Sequence, residues 1–326
     1  MNKNIFPTLL LLFSTAAHAQ LKWQKMDSVF GNLPTSVHVY KTVDSLDGQP
    51  NIAWYLEADL KDKHLEFTVD TTLHRRFTPQ QFYEKNGRPI LVVNTTFFSF
   101  ATNQSLNAVV KDGKLVSYNV HSITGRGKDT LLYHHPTGSA IGISKKRKVD
   151  VAWLYTDPSL KYPVAFEERP VLLKDSSSIV SKYSFVREPN HLSTSEKRKS
   201  SKGKWKMKTA VGGGPVLLQN SDIKITNEEE RKFYGPAIND KHPRTAMGYT
   251  KDDKLIVLVV EGRNPGIAEG ASLGQLAQIL KELGCVEALN LDGGGSSCML
   301  VNGKETIRPS DKKQRAVPAV FMIREK

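Results

Sequence analysis

The sequence predicts a strand-dominated domain with few helices, and three observations lead there. Short apolar, β-tolerant runs recur along most of the chain, each bounded by glycine, proline or a polar residue. Only two stretches carry clear helix signals. Three consecutive glycines occur twice, at Gly212 to Gly214 and at Gly293 to Gly295. An ordinary hairpin needs one or two, so these corners predict backbone packed against something that tolerates no side chain.

In chain order, Met1 to Ala19 reads as a signal peptide: Lys3 supplies the positive start, Ile5 to Phe13 the apolar region, and Ala17-His18-Ala19 the small-residue cleavage pattern. The apolar run is too short to span a bilayer. No Cys follows the cut at Gln20, so no lipid anchor is expected. The expected product is exported and soluble, periplasmic or extracellular, with residues 20–326 as one domain. Strands are expected over Val37 to Val43, Ile52 to Leu60 and Leu65 to Val69. Thr78-Pro79-Gln80-Gln81 predicts a short helix, with Thr78 as N-cap and Gln81 at the capping-box position. Pro89 to Val93 predicts a buried strand running into Asn94.

Asn107 to Ser117 predicts a hairpin around Asp112-Gly113. Gly138 to Ser144 and Val149 to Tyr155 predict another, tipped by the basic tetrad Lys145 to Lys148. That tetrad imitates a nuclear-localisation pattern, which an export signal makes irrelevant. Lys174 to Lys208 is rich in Ser, Lys, Arg and Glu and is expected to be a mobile basic insertion. Its Trp205 and six lysines from Lys197 onward suit either a solvated loop or a grip on an anionic polymer. Ser272 to Leu283 is the clearest helix, with Leu273, Leu276, Ala277 and Leu280 on one face, a Ser272/Gln275 capping box and Gly284 as stop. It delivers the chain into the strand from Cys285. Ala316 to Ile323 is the closing strand.

The net charge of +13 favours anionic partners. With the export signal, these are expected to be phosphorylated or anionic glycans and not nucleic acid, and no membrane span is expected. The two cysteines, Cys285 and Cys298, flank the second glycine corner, and the sequence leaves their pairing open. No CxxC or HxxxH spacing suggests zinc.

Several expected strands stop or start at polar corners: Asn94, Gly213-Gly214, His242-Pro243-Arg244, Glu261-Gly262-Arg263 and Asn290-Leu291-Asp292 followed by Gly293, Gly294, Gly295, Ser296 and Ser297. If these gather on one sheet edge, the cleft holds paired carboxylates for sugar transfer to water and arginines for phosphate oxygens. Each residue also has a plainer reading. His242 suits a hydrogen-bonded surface position, Arg263 a local pair with Glu261, and Asn94 and Asn290 turn caps.

Taken together, N-L-D-G-G-G-S-S at 290 to 297 behind its G-A-S-L-G-Q-L-A-Q-I-L-K-E-L-G helix resembles the phosphodiester glycosidase family. H-P-R-T-A-M-G at 242 to 248, V-E-G-R at 260 to 263, G-G-G-P-V-L-L at 212 to 218 and N-x-x-F-F at 94 to 98 match its motifs in order. The resemblance runs from Val37 to Ile323. It implies an α+β fold, a single domain with a β-rich mixed-sheet core and a few packed helices. It implies hydrolysis of the bond between a sugar anomeric carbon and a phosphodiester oxygen. The chain departs from the family at Glu261, where Asp is usual, at Thr95-Thr96, where glycines are usual, and at Gln275, where Glu is frequent.

On this reading Asp292 is the nucleophile or general base, with Glu261 or His242 completing proton transfer. Arg244 and Arg263 stabilise the phosphate, and its low demand for protonation makes charge stabilisation the larger need. Asn94, Asn290, Gly213, Gly214, Gly293 to Gly295, Ser296 and Ser297 line the site. We expect Asp292 to be held ionised by its neighbouring arginines. No cofactor is required, although a divalent cation on Asp292 and Glu261 is compatible with these residues. The rivals are a secreted phosphodiesterase cleaving P–O and a non-catalytic module binding anionic glycans.

Overall fold

The computed structural model describes residues 20–166, 168–170, 172–175 and 202–326. The signal peptide expected at 1–19 and most of the expected insertion (176–201) lie outside the described residues. Four sheets account for the strands, and every strand pair is antiparallel. The largest has eight strands. At its centre lie Ala53–Asp59, Lys254–Val260, Arg244–Thr250 and Cys285–Asn290, side by side in that order. A five-stranded sheet centres on Leu91–Asn94 and Ala319–Glu325. A seven-stranded sheet centres on Gly138–Ser144, and a three-stranded sheet on Tyr133–His135.

The three large sheets enclose one core. Val39, Leu56 and Val257 reach it from the first, Phe67, Leu91 and Phe321 from the second, and Ile141, Trp153 and Val211 from the third. The opposite face of the eight-stranded sheet is covered by the helix Leu273–Glu282, through Leu273, Leu276, Ala277 and Leu280. This explains the unbroken apolar run of Lys254–Val260. Leu255, Val257 and Val259 face the shared core, while Ile256, Leu258 and Val260 face the helix. A strand buried on both faces needs no polar alternation.

This architecture corrects the α+β, mixed-sheet expectation. The described residues hold three α-helices, Pro79–Lys85, Asn227–Glu230 and Leu273–Glu282, and the fold is a β-rich stack of antiparallel sheets. Continuous apolar runs usually signal parallel strands covered by helices. Here a second sheet does much of the covering, so the same pattern arises between antiparallel partners.

Both predicted capping boxes form: Gln81 N donates to Thr78 Oγ1 and Gln275 N to Ser272 Oγ, with each glutamine side chain answering the cap N–H. The described ends of the 174–208 stretch are ordered in strands, Leu173–Asp175 beside Tyr133–His135 and Lys202–Lys204 beside Val164–Phe166. Trp205 is a core ring there, 4% exposed, with Nε1 donating to Asp150. It is neither a solvated residue nor a surface grip. The strand Arg244–Thr250 was not expected beyond its first corner. Arg244 opens it, pairing opposite Val260, and Ala246 pairs opposite Asn290.

Candidate active site

That register places Arg244, Glu261 and the Asn290–Asp292 turn along one edge of the eight-stranded sheet, where the end of the five-stranded sheet meets it. Asn94 closes the junction. Its Nδ2 donates to Asp292 O (2.6 Å), and its Oδ1 accepts from Thr245 Oγ1 (2.9 Å) and from Cys298 N (3.0 Å). Asp292 N donates to Thr95 O (2.7 Å). Asn94 is fully buried with its amide thus engaged. It braces the backbone that carries Asp292.

The glycines after Asp292 make room for two guanidinium groups. Gly294 has φ +59°, donates from N to Pro243 O (2.8 Å), and would bring a Cβ within 3.0–3.3 Å of the Arg263 guanidinium. A Cβ on Gly295 would collide with Arg315 Nη2. Arg315 is held by Asp311, with Nε and Nη2 at 3.0 and 2.6 Å from Oδ2, and its Nη1 donates to Ser296 Oγ (3.4 Å). Ser296 in turn hydrogen-bonds the Asp292 carboxyl. Ser297 is buried, its hydroxyl 3.2 Å from Thr245 Oγ1.

Burial dominates the Asp292 carboxyl and pushes its pKa from 3.8 up to about 7, against the lowering effects of Ser296, Arg315 and the Gly293 N–H. The expected low pKa is thereby overturned. Arg315 is the guanidinium that opposes the rise, and desolvation outweighs it.

Arg244 is 2% exposed, and no carboxylate of the described residues lies within ion-pair distance of it. Its Nε donates to Ala271 O (2.8 Å), its Nη2 to Asp240 O (2.9 Å), and the Phe233 ring centroid lies 5.3 Å from its guanidinium carbon. Burial, then the charge of Arg263, pulls its pKa down to about 10, with Asp240 opposing. Arg263 is solvent-exposed, with φ 58°, and likewise lacks a carboxylate partner. His242 sits in the same positive field. Burial first, then Arg244 and Arg263, depress its pKa, so the ring is neutral at neutral pH. Its Nδ1 is buried without a hydrogen-bond partner.

Glu261 takes no part in an ion pair with Arg263. Its Oε2 accepts from Arg308 N (3.0 Å) and its Oε1 from Asn264 Nδ2 (3.4 Å), so both oxygens anchor the flanking loops. Among the described residues, no group of three or more His, Cys, Asp or Glu side chains converges to hold a metal ion. Asn290 and the first glycine corner lock together. Gly214 N donates to Asn290 O (2.7 Å), Asn290 Nδ2 donates to Gly214 O (2.8 Å), and Gly213 N donates to Ser139 O (3.0 Å). The amides of Gly213 and Gly214 therefore serve the fold, while Asn290 Oδ1 is left buried and unpartnered. Cys285 and Cys298 are free thiols buried in different clusters, and burial pushes both pKa values up.

Sequence reasoning missed Arg315 and Phe233. Arg315 is held by Asp311 in a turn, where spacing alone gives no signal for the pair, and nothing local shows that it meets Ser296.

The corner thus joins a desolvated carboxyl, opposed by the Asp311-held Arg315, to Arg263, which packs on Gly294 without a carboxylate of the described residues at ion-pair distance; a burial-shifted carboxyl in a cationic corner marks a candidate functional site. Residues 183–324 match the phosphodiester glycosidase family, so the resemblance carried by the motifs holds. The motif at 94 to 98 lies outside that match. The mouse N-acetylglucosamine-1-phosphodiester alpha-N-acetylglucosaminidase is 30% identical over 105 residues, which is 32% of this chain and 20% of the mouse protein. The chain thus spans about a fifth of that relative's length. A hypothetical protein from Synechocystis shares the fold with a TM-score of 0.61 at 15% identity, over 94% of this chain and 64% of that one. The catalytic domain of the zebrafish N-acetylglucosamine-1-phosphodiester alpha-N-acetylglucosaminidase aligns with a TM-score of 0.53 at 19% identity, over 94% and 89%. No helix of the described residues is long and apolar enough to cross a membrane.

Proposed function

We propose that this chain is an exported hydrolase that cleaves the bond between a sugar anomeric carbon and a phosphodiester oxygen. The observation that carries the reading is Arg244, a buried guanidinium with no carboxylate of the described residues within ion-pair distance and only the more distant charge of Asp240 in its favour, in the strand against which Gly293 packs. A buried cation without an ion-pair partner is costly, and an anionic ligand is the natural counter-charge. Arg244 and Arg263 hold the phosphate and stabilise the charge that it gains as the anomeric C–O bond breaks.

The leaving group is a phosphomonoester, so little proton donation is needed. Ionised Asp292 drives the attack at the anomeric carbon, either as nucleophile or as base toward water. A carboxyl titrating near 7 suits proton transfer at neutral pH. Neutral His242, half-exposed beside Arg244 and Arg263, offers its ring to a substrate hydroxyl or to the water. Glu261 holds the loops carrying Arg263 and Arg308. Arginine charge serves the role a cation would otherwise fill, and the family match supports a phosphodiester-linked sugar as substrate.

Hydrolysis of a sugar-1-phosphodiester in ¹⁸O-labelled water tests this. Label in the released sugar is the expected result. Label in the phosphate would mean P–O cleavage and would overturn the assignment.

A further inference from the structure

Beside the catalytic corner the structure carries an aromatic surface that the proposed chemistry does not use. Phe98 and Phe100 leave the strand Leu91–Asn94 on the same loop, their rings 4.8 Å apart. Phe98 turns inward and is 8% exposed, whereas Phe100 is 64% exposed. Two guanidinium groups flank the outer ring, Arg76 at 5.2 Å and Arg315 at 5.5 Å from its centroid. Arg315 is the group that reaches Ser296 and, through it, Asp292. Arg76 also lies over Phe98 at 5.0 Å, and no carboxylate of the described residues lies within ion-pair distance of it.

An exposed ring costs solvation unless a partner covers it, and a cation beside it without counter-charge attracts an anion. Together the two features fit a flat ring that carries a phosphate. We propose that Phe100, with Arg76 and Arg315, forms the subsite for the group on the far side of the scissile phosphate. The ring of that group, a pyranose or a nucleobase, stacks on Phe100, while its phosphate lies toward the arginines. Phe100 would then set which phosphodiesters the site accepts.

This proposal rests on the reading of the site as one for sugar phosphodiesters, but it is tested by binding alone. Calorimetric titration of the full chain with methyl phosphate, glucose 6-phosphate and uridine monophosphate compares the same charge with no ring, a pyranose and a base. We expect at least one ring-bearing monophosphate to bind about tenfold tighter than methyl phosphate, as stacking of one ring supplies. Phe100→Ala should erase that preference and Phe100→Trp should retain it. The ring that is preferred identifies the acceptor group. Equal affinity for all three monophosphates, absence of ring-dependent binding, or a preference that survives in Phe100→Ala would each overturn the subsite. None of these outcomes depends on turnover, so a failure of the ¹⁸O experiment and a failure of the subsite are separate results.

Discussion

Asp292→Asn offers a test that joins stability to catalysis. The carboxyl titrates near 7 in the fold and near 3.8 in the unfolded chain, so the folded protein binds this proton more tightly. A raised pKa means that its contribution to stability is fully present below about pH 3.8 and is lost as pH rises toward 7. At 1.36 kcal/mol for each tenfold change in proton affinity, ionising Asp292 in the fold costs about 4 kcal/mol above neutrality. The residue keeps a partly solvent-accessible edge, so that figure is a ceiling, and between about 1 and about 4 kcal/mol is expected.

The amide removes the charge while keeping the shape and the bond to Ser296. Denaturant unfolding of both proteins across about pH 4.5 to 8 should therefore show the variant gaining stability over wild type as pH rises, with the gain flattening above about 7. Turnover of a sugar-1-phosphodiester by the same samples should fall by several orders of magnitude. A stability difference that does not change with pH would refute the claim that burial governs this carboxyl. Turnover close to wild type would remove Asp292 from the mechanism.

Three further outcomes are expected. Arg244→Lys and Arg263→Lys keep the charge but lose the planar fork, and each should reduce kcat/KM by roughly 2–4 kcal/mol of transition-state stabilisation; wild-type rates in both variants would free the phosphate from these residues. Arg315→Gln removes the cation that opposes burial at Asp292, so the rise of kcat/KM with pH should move upward by roughly one pH unit, while an unmoved midpoint would show that Arg315 does not act on Asp292. Asn94→Ala strips three hydrogen bonds from a buried brace and should lower stability by roughly 3 kcal/mol; a Tm equal to wild type would show that the corner stands without it.

Much of the framework was legible because local signals recur at close range. The apolar runs, the two capping boxes, the Asp112-Gly113 turn and the helix that ends at Gly284 each depend on residues within a few positions of one another. The five polar corners were legible for the same reason, since polar and glycine residues break an apolar run visibly. Two glycine triplets implied close approaches, and the structure supplies the partners: Arg263 and Arg315 at Gly294 and Gly295, and the Asn290 backbone at Gly213.

Strand partners could not be read in this way. Antiparallel and parallel pairing leave the same unbroken apolar run on a doubly buried strand, so the covering of Lys254–Val260 by a sheet on one side and a helix on the other appears only in three dimensions. The ionisation of Asp292 was misjudged for a related reason. Arginines expected to gather at the site suggested a low pKa, but a carboxyl responds to everything that surrounds it in space. At this corner burial outweighs the single guanidinium that opposes it. Arg244 shows the same division. Its position at a corner is written in the chain, whereas its lack of a counter-ion is a property of the tertiary structure, because only packing decides which charges share a low-dielectric interior and which face water.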